Sequence, residues 1–187
     1  NIRIPGWVKG EVVPSNLYSF ADDILSGYEV TVNGTPVKAI DLERGYFSLT
    51  RNWKKGDVVR IHFDMPVRTV KANPRVSDDR GRIAVERGPL VYCAEGADNK
   101  GFSIFNFLMP RQPRFTVTDH DIKTNSALTF GVKAIQVDGQ ALEQDAQGEA
   151  SVKKVTLTMI PYYAWNHRGP GLMEVWMPQT LSAVGNY

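Results

Sequence analysis

Val58-Val59-Arg60-Ile61-His62-Phe63-Asp64-Met65 is the stretch that decides the fold class. Val59, Ile61, Phe63 and Met65 fall on one face of an extended chain, and Arg60, His62 and Asp64 fall on the other. Alternation of this kind is what a half-buried β-strand requires, because successive side chains point to opposite faces. The same period sets Val155, Leu157 and Met159 against Thr156 and Thr158. Tyr28, Val30 and Val32 lead into Asn33-Gly34, a pair whose tolerance of positive φ suits a tight hairpin. Lys55-Gly56-Asp57 and Asp138-Gly139 read as further turns, the second preceded by Val132, Ile135 and Val137.

Helical signals are weak. Ser15 to Leu25 reads either as one short helix, capped by Ser15 or Asn16 with Leu17, Phe20 and Ile24 on one side, or as an irregular loop. Gln140 to Ser151 is polar and poor in apolar residues, and reads as a solvated loop. Many short strands separated by turns predict an all-β fold with little helix, built as two small antiparallel β-sandwich domains. Met65-Pro66 to Asn73-Pro74 is the expected boundary, dividing a first sandwich at residues 1–72 from a C-terminal one at 73–187. A first unit of about 70 residues is small for a self-sufficient core, so it is expected to be incomplete at its N-terminus.

The composition removes several classes of function. The 187 residues carry 22 Lys+Arg and 20 Asp+Glu, a net charge of +2, which gives no reason to expect nucleic acid or an anionic membrane as partner. Hydrophobic residues at 42% suit a packed core rather than a disordered chain. No apolar run approaches the roughly 18–20 residues of a membrane span. The one cysteine, Cys93, cannot form an internal disulfide or a multi-thiolate zinc site. Asn1 opens the chain inside a motif and without an initiator Met, so the sequence is expected to be a piece of a longer protein, and its compartment is not readable.

Few residues suggest chemistry. His62, His120 and His167 are far apart, and His62 lies on a polar strand face. Asp119-His120-Asp121 is either a metal-binding turn or, more commonly, solvated charge. Glycosidic hydrolysis generally uses two carboxyl groups roughly 5–10 Å apart, and no motif here picks such a pair. Asp78 and Asp79 beside Arg80 and Arg82, and Glu86 beside Arg87, read as surface ion pairs. Cys93, after Val91-Tyr92, reads as a small buried hydrophobe, since no activating partner is local. The unusual segment is Ile160 to Gly171. Tyr162, Tyr163, Trp165, Asn166, His167 and Arg168 stand together ahead of a Gly-Pro-Gly break. Flat rings beside hydrogen-bonding side chains suit a sugar, the same composition suits a protein or domain interface, and the rings could equally be core.

Several segments, in order, carry a family resemblance. They are Arg3-Ile4-Pro5-Gly6-Trp7, Met65-Pro66-Val67-Arg68, the run from Asp79 to Glu95 with Arg87-Gly88-Pro89-Leu90-Val91-Tyr92-Cys93 inside it, Asp98-Asn99, Ile160 to Gly171, and Val175-Trp176-Met177-Pro178. Together they resemble the C-terminal part of glycoside hydrolase family 127, the β-L-arabinofuranosidases and their relatives, over nearly the whole chain. The resemblance implies an N-terminal (α/α)6 barrel that carries the active site, followed by two β-sandwich domains. It further implies a cysteine nucleophile, a glutamate acid/base and a zinc held by cysteines and a glutamate, all in the barrel, and release of L-arabinofuranose from plant-type glycans or hydroxyproline-linked sugars. None of that catalytic set matches a position in this chain, so no catalytic residue and no metal ligand is carried over. Val8 to Gly27 is longer than the family pattern and reads as a subgroup insertion.

The expectation is therefore a non-catalytic accessory region that braces a catalytic barrel, its main partner, and that holds no cofactor itself. The alternative is a carbohydrate-binding module for arabinose-containing glycans, with Tyr162–Trp165 as its platform. Autonomous catalysis through His167, Arg168 and nearby acids lacks a visible nucleophile–base pair.

Overall fold

The computed structural model describes residues 1–38, 42–144 and 147–184. The fold is all-β; its helical pieces are single 3-10 turns such as Gly6–Lys9 and Tyr162–Ala164. The strands of the first third are β1 (Ile2–Arg3), β2 (Tyr18–Phe20), β3 (Tyr28–Val32), β4 (Thr35–Pro36), β5 (Tyr46–Phe47) and β6 (Val59–Phe63). Then come β7 (Val67–Ala72), β8 (Arg82–Arg87), β9 (Leu90–Glu95), β10 (Phe107–Leu108) and β11 (Phe115–Lys123). The last are β12 (Thr129–Gln144), β13 (Ala150–Pro161), β14 (Met173–Glu174) and β15 (Met177–Pro178). Among the described residues they form antiparallel sheets. Two are small, β1-β5 and β4-β3-β6. The large one runs β10-β12-β13-β9-β8-β7-β2, with β11 also on β12, β14 on β9 and β15 on β8.

The small sheets follow their local sequence. Asn33 and Gly34 both have left-handed φ, 53° and 81°, and turn β3 back onto β4. The Asn33 side chain then ties this hairpin to the Lys54–Asp57 turn. Its amide donates to Asp57 Oδ1 at 2.9 Å, and its oxygen accepts from the Val58 N–H at 2.9 Å. That Asn33 bond is the main reason the Asp57 carboxyl sits below its ordinary pKa. Tyr28, Val30, Ile61 and Phe63 pack with Ile4, Val8 and Phe47 as one core. Val59, at the outer end of the alternating face, stays 37% exposed.

Around β9 the large sheet is covered on both faces. Tyr92 and Ala94 of β9 join one apolar cluster with Val85, Phe107, Ile135, Val137, Leu157 and Met159. Cys93, between them, points the other way into a cluster with Ile122, Val132, Ala134 and Ile160. Period two thus splits one strand between two cores, which is why Tyr92 through Glu95 are all buried. One edge of β13 pairs with β9 at Met159–Pro161, and next to that Asn99 takes over. The Asn99 side chain accepts from the Thr158 N–H at 2.8 Å and donates to the Thr158 carbonyl at 2.9 Å, as a neighbouring strand would.

Two local expectations are corrected, and the open reading of Ser15–Leu25 is decided against the helix. Asp138-Gly139 is not a turn but lies mid-strand in β12. Glycine stands there because the Phe107 ring lies against it, and a Cβ would come within 2.3 Å of the ring's Cζ. Gln140–Ser151 is not all loop. Gln140–Gln144 and Ala150–Ser151 belong to the β12–β13 hairpin, while residues 145 and 146 lie outside the described residues. Ser15–Leu25 forms no helix, since β2 pairs with β7 and Asp22 Oδ2 accepts from the Thr69 N–H (2.6 Å) and hydroxyl (2.8 Å). A long-range strand partner and two charge-assisted bonds outweigh a weak local propensity.

Arg68 lies at the same junction. Its side chain is 2% exposed, its guanidinium sits 3.5 Å from the centroid of the Phe20 ring, and Nη2 donates to the Trp7 carbonyl at 2.7 Å. The opening motif, the Val8–Gly27 stretch and the large sheet meet on this one side chain. β7 pairs with β8, so Arg68 also stands opposite Glu86, whose pKa burial raises and Arg68 lowers.

Gly139→Ala is expected to destabilise the fold by roughly 1–3 kcal/mol, the usual cost of overpacking a filled core. Gly171→Ala, where a Cβ meets nothing within 4 Å, is the control. Chemical denaturation reads both, and equal midpoints would refute the role given to Gly139.

Candidate functional site

β13 ends at Pro161, and the chain makes one 3-10 turn over Tyr162–Ala164, closed by the Trp165 N–H donating to the Tyr162 carbonyl at 3.2 Å. Ala164 is the inward residue of that turn and is buried with Cys93 and Ile160. Tyr162 and Tyr163 consequently face outward, 47% and 59% exposed. Trp165 packs partly against the same core and lies over Tyr162, with ring centroids 6.1 Å apart and planes at 24°. The outcome is a stacked Tyr162–Trp165 pair with Tyr163 beside it on the chain.

The polar half of the segment behaves differently. Asn166 takes a left-handed φ of 67°, a conformation asparagine tolerates better than most residues. His167 is exposed, with its ring edge-on to Phe130 at 5.8 Å. Arg168 turns inward. Nη1 and Nη2 donate to the two oxygens of Asp98, each at 2.5 Å, and Nη2 also reaches Glu95 Oε2. Glu95 and Asp98 are buried to 2% and 4% side-chain exposure, so this is an interior fork between two carboxylates. The Asp98 bond is the main reason the Arg168 pKa lies above its already high value, and Glu95 adds to it. His120 Nε2 sits 3.0 Å from Asp98 Oδ1 and completes the cluster.

The structure therefore separates the predicted site residues. Tyr162, Tyr163 and Trp165 form the surface feature, Asn166 and His167 continue it, and Arg168 anchors the segment from below. Glu95, Asp98 and His120 are the partners that sequence reasoning missed. Asp119-His120-Asp121 lies within β11, not in a turn, and Asp119 pairs across the sheet with Lys133. Arg82 pairs not with its sequence neighbours but with Glu174, at 2.5 Å, and both are largely buried. Burial raises the Glu174 pKa, and Arg82 opposes that rise.

Cys93 is fully buried and free. Burial pushes its thiol up to about 12, with Glu95 and Asp98 adding to the rise. Such a thiol is the opposite of an activated nucleophile. No group of three or more His, Cys, Asp or Glu is placed to hold a metal ion among the described residues. With one buried thiol in the sequence, the residues present do not fit a multi-thiolate zinc. No helix among the described residues is long and apolar enough to cross a membrane.

Comparison with known proteins bears on this arrangement as a whole. Residues 1–65 match the profile described as the β-L-arabinofuranosidase, GH127 middle domain, and residues 67–178 match the glycoside hydrolase family 127 C-terminal domain. The chain is similar to the non-reducing end β-L-arabinofuranosidase of Bifidobacterium longum subsp. longum, at 35% identity over 185 residues. That match covers 93% of this chain and 25% of the relative, so the chain spans about a quarter of that protein's length. A solved GH127 β-arabinofuranosidase superposes with a TM-score of 0.88 at 51% identity, covering 98% of this chain and 28% of that one. The GH127 β-L-arabinofuranosidase of Geobacillus stearothermophilus T6 gives 0.68 at 33% identity, covering 86% of this chain and 26% of that one.

Arg168→Met is expected to cost roughly 3–5 kcal/mol, because it strands two buried carboxylates. The variant should also loosen the segment above it, read as faster amide exchange over residues 162–171. A variant as stable and as protected as the parent would show that the fork does not hold the loop.

Proposed function

The chain belongs to glycoside hydrolase family 127, and we propose that its middle and C-terminal domains here are the non-catalytic accessory part of a β-L-arabinofuranosidase-like enzyme acting on plant-type glycans. In this reading the two β units brace an (α/α)6 catalytic barrel supplied by chain outside these 187 residues. The nucleophile, the acid/base glutamate and the zinc site belong to that barrel. The division into a middle and a C-terminal unit is part of the same proposal. The observation that carries it is the state of Cys93. The one thiol in the sequence is fully buried, with its pKa raised to about 12, in a family whose chemistry, by resemblance, runs through a cysteine. Glu95 and Asp98, gathered at one point, are both committed to Arg168.

A second reading is favoured by a specific feature, the exposed stack of Tyr162 on Trp165 with Tyr163 next to it. Such a platform suits the apolar face of a sugar ring, and would make the region a carbohydrate-binding module for arabinose-containing glycans. The same exposed rings, with Arg168 locking the loop, suit the barrel as partner.

The 187-residue chain is expected to show no hydrolysis of an aryl β-L-arabinofuranoside above the buffer rate, and to bind the separately produced catalytic barrel in calorimetry. Turnover by this chain would overturn the accessory role. Titration with arabino-oligosaccharides separates the two readings. Heat that disappears in Tyr163→Ala and Trp165→Ala supports the binding module. Absence of heat, with barrel binding weakened at least tenfold by the same substitutions, supports the brace.

A further inference from the structure

Away from the aromatic loop, a cavity of about 730 Å³ opens where the chain after β10 swings off the edge of β12. Its size falls within the roughly 300–1,000 Å³ of small-ligand sites. Asp138 and Gln140 of β12 lie directly across from Thr156 and Lys154 of β13, so all four side chains share one face. Arg111 and Gln179 line it as well.

The polar groups of this cavity are fixed but not used up. The Thr156 hydroxyl donates to Asp138 Oδ1 at 2.6 Å, and among the described residues the second carboxylate oxygen takes no bond. Gln179 is held twice: its backbone N–H donates to the Gly81 carbonyl at 2.8 Å, and its side-chain amide donates to the Pro110 carbonyl at 2.9 Å. Its Oε1 is thereby held as an oriented acceptor. Arg111 sits between Pro110 and Pro113 in a stiff stretch, and neither Arg111 nor Lys154 makes an ion pair among the described residues. Leu108 and Pro110 give the apolar lining.

We propose that this cavity is a saccharide-binding site for a neutral oligosaccharide. Two cationic donors, a carboxylate and an amide oxygen match hydroxyl groups, each of which donates and accepts. The apolar lining takes the ring C–H groups. An anion would meet the Asp138 carboxylate as well as the two cations, and an apolar ligand would strand three charges. The site is independent of the aromatic platform, because Thr156 precedes Tyr162 by six positions along β13, about 20 Å at ~3.3 Å per residue. The choice of an arabinose-type sugar rests on the function proposed above. The geometry itself asks only for a neutral saccharide.

Amide-detected NMR titration of the 187-residue chain with arabinotriose, cellotriose and trigalacturonate tests this. Arabinotriose is expected to move the amides of Asp138, Gly139, Gln140 and Gln179. The double variant Arg111→Ala/Lys154→Ala, which alters two exposed side chains, should melt as the parent does and weaken binding at least tenfold. Cellotriose moving the same amides while arabinotriose does not would support the site and count against the arabinofuranosidase-like reading. Tighter binding of trigalacturonate than of either neutral sugar would overturn the ligand class. No shift at these amides with any of the three, or shifts unchanged in the double variant, would overturn the site.

Discussion

Strand β9, the first half of β12 and the last residues of β13 have apolar material on both sides, and most of the molecule answers to that requirement. A strand covered on both faces cannot alternate apolar with polar, so Tyr92, Cys93 and Ala94 follow one another with no charged residue among them. Any polar group inside must find its partner inside. Tyr92 donates its hydroxyl to the Lys133 carbonyl at 2.8 Å, Arg82 meets Glu174, and Arg168 meets Glu95 and Asp98. Each ionic pair joins stretches distant in sequence, so the charges select one way of closing the sheet, while the hydrophobic layers supply most of the favourable free energy.

This arrangement anchors the aromatic segment from below although it is a loop. Ala164 is gripped by the core below, Pro161 closes β13 on one side, and the guanidinium of Arg168 is forked on the other. The backbone that presents Tyr162 and Tyr163 is therefore tied down on both sides. A surface of ordered rings binds a flat partner without first losing entropy, whether that partner is a sugar or a neighbouring domain. The junction at Arg68 does the equivalent at the other end of the large sheet, where Phe20, Trp7 and Asp22 converge.

Legibility in the sequence followed the range of the forces. The all-β class was readable from β6 and β13 because alternation is a local record of which face is buried. Asn33-Gly34 was readable because a tight turn makes its demand on the two residues that form it. Asp138-Gly139 misled, since that glycine answers to Phe107 on another strand and not to a turn. Ser15–Leu25 stayed open between helix and loop because its partners, Thr69 and Arg68, come from β7. In the candidate site the exposed rings were legible as a cluster. The burial of Arg168 was not, because Asp98 and Glu95 lie 70 and 73 residues away and neither forms a motif with it.

Asn99 bears on how this protein behaves in a crowded solution. One amide side chain occupies the hydrogen-bonding edge of β13 at Thr158, where a further strand could otherwise dock. Nearer the hairpin tip the same strand carries Lys153 and Lys154, charges that another chain could not bury without penalty. A plug at one end and a charged stretch at the other leave no long, flat, neutral rim. Resistance to stacking into fibrils is thus built into a strand that would otherwise favour it, and it is achieved with three side chains rather than an extra element of structure.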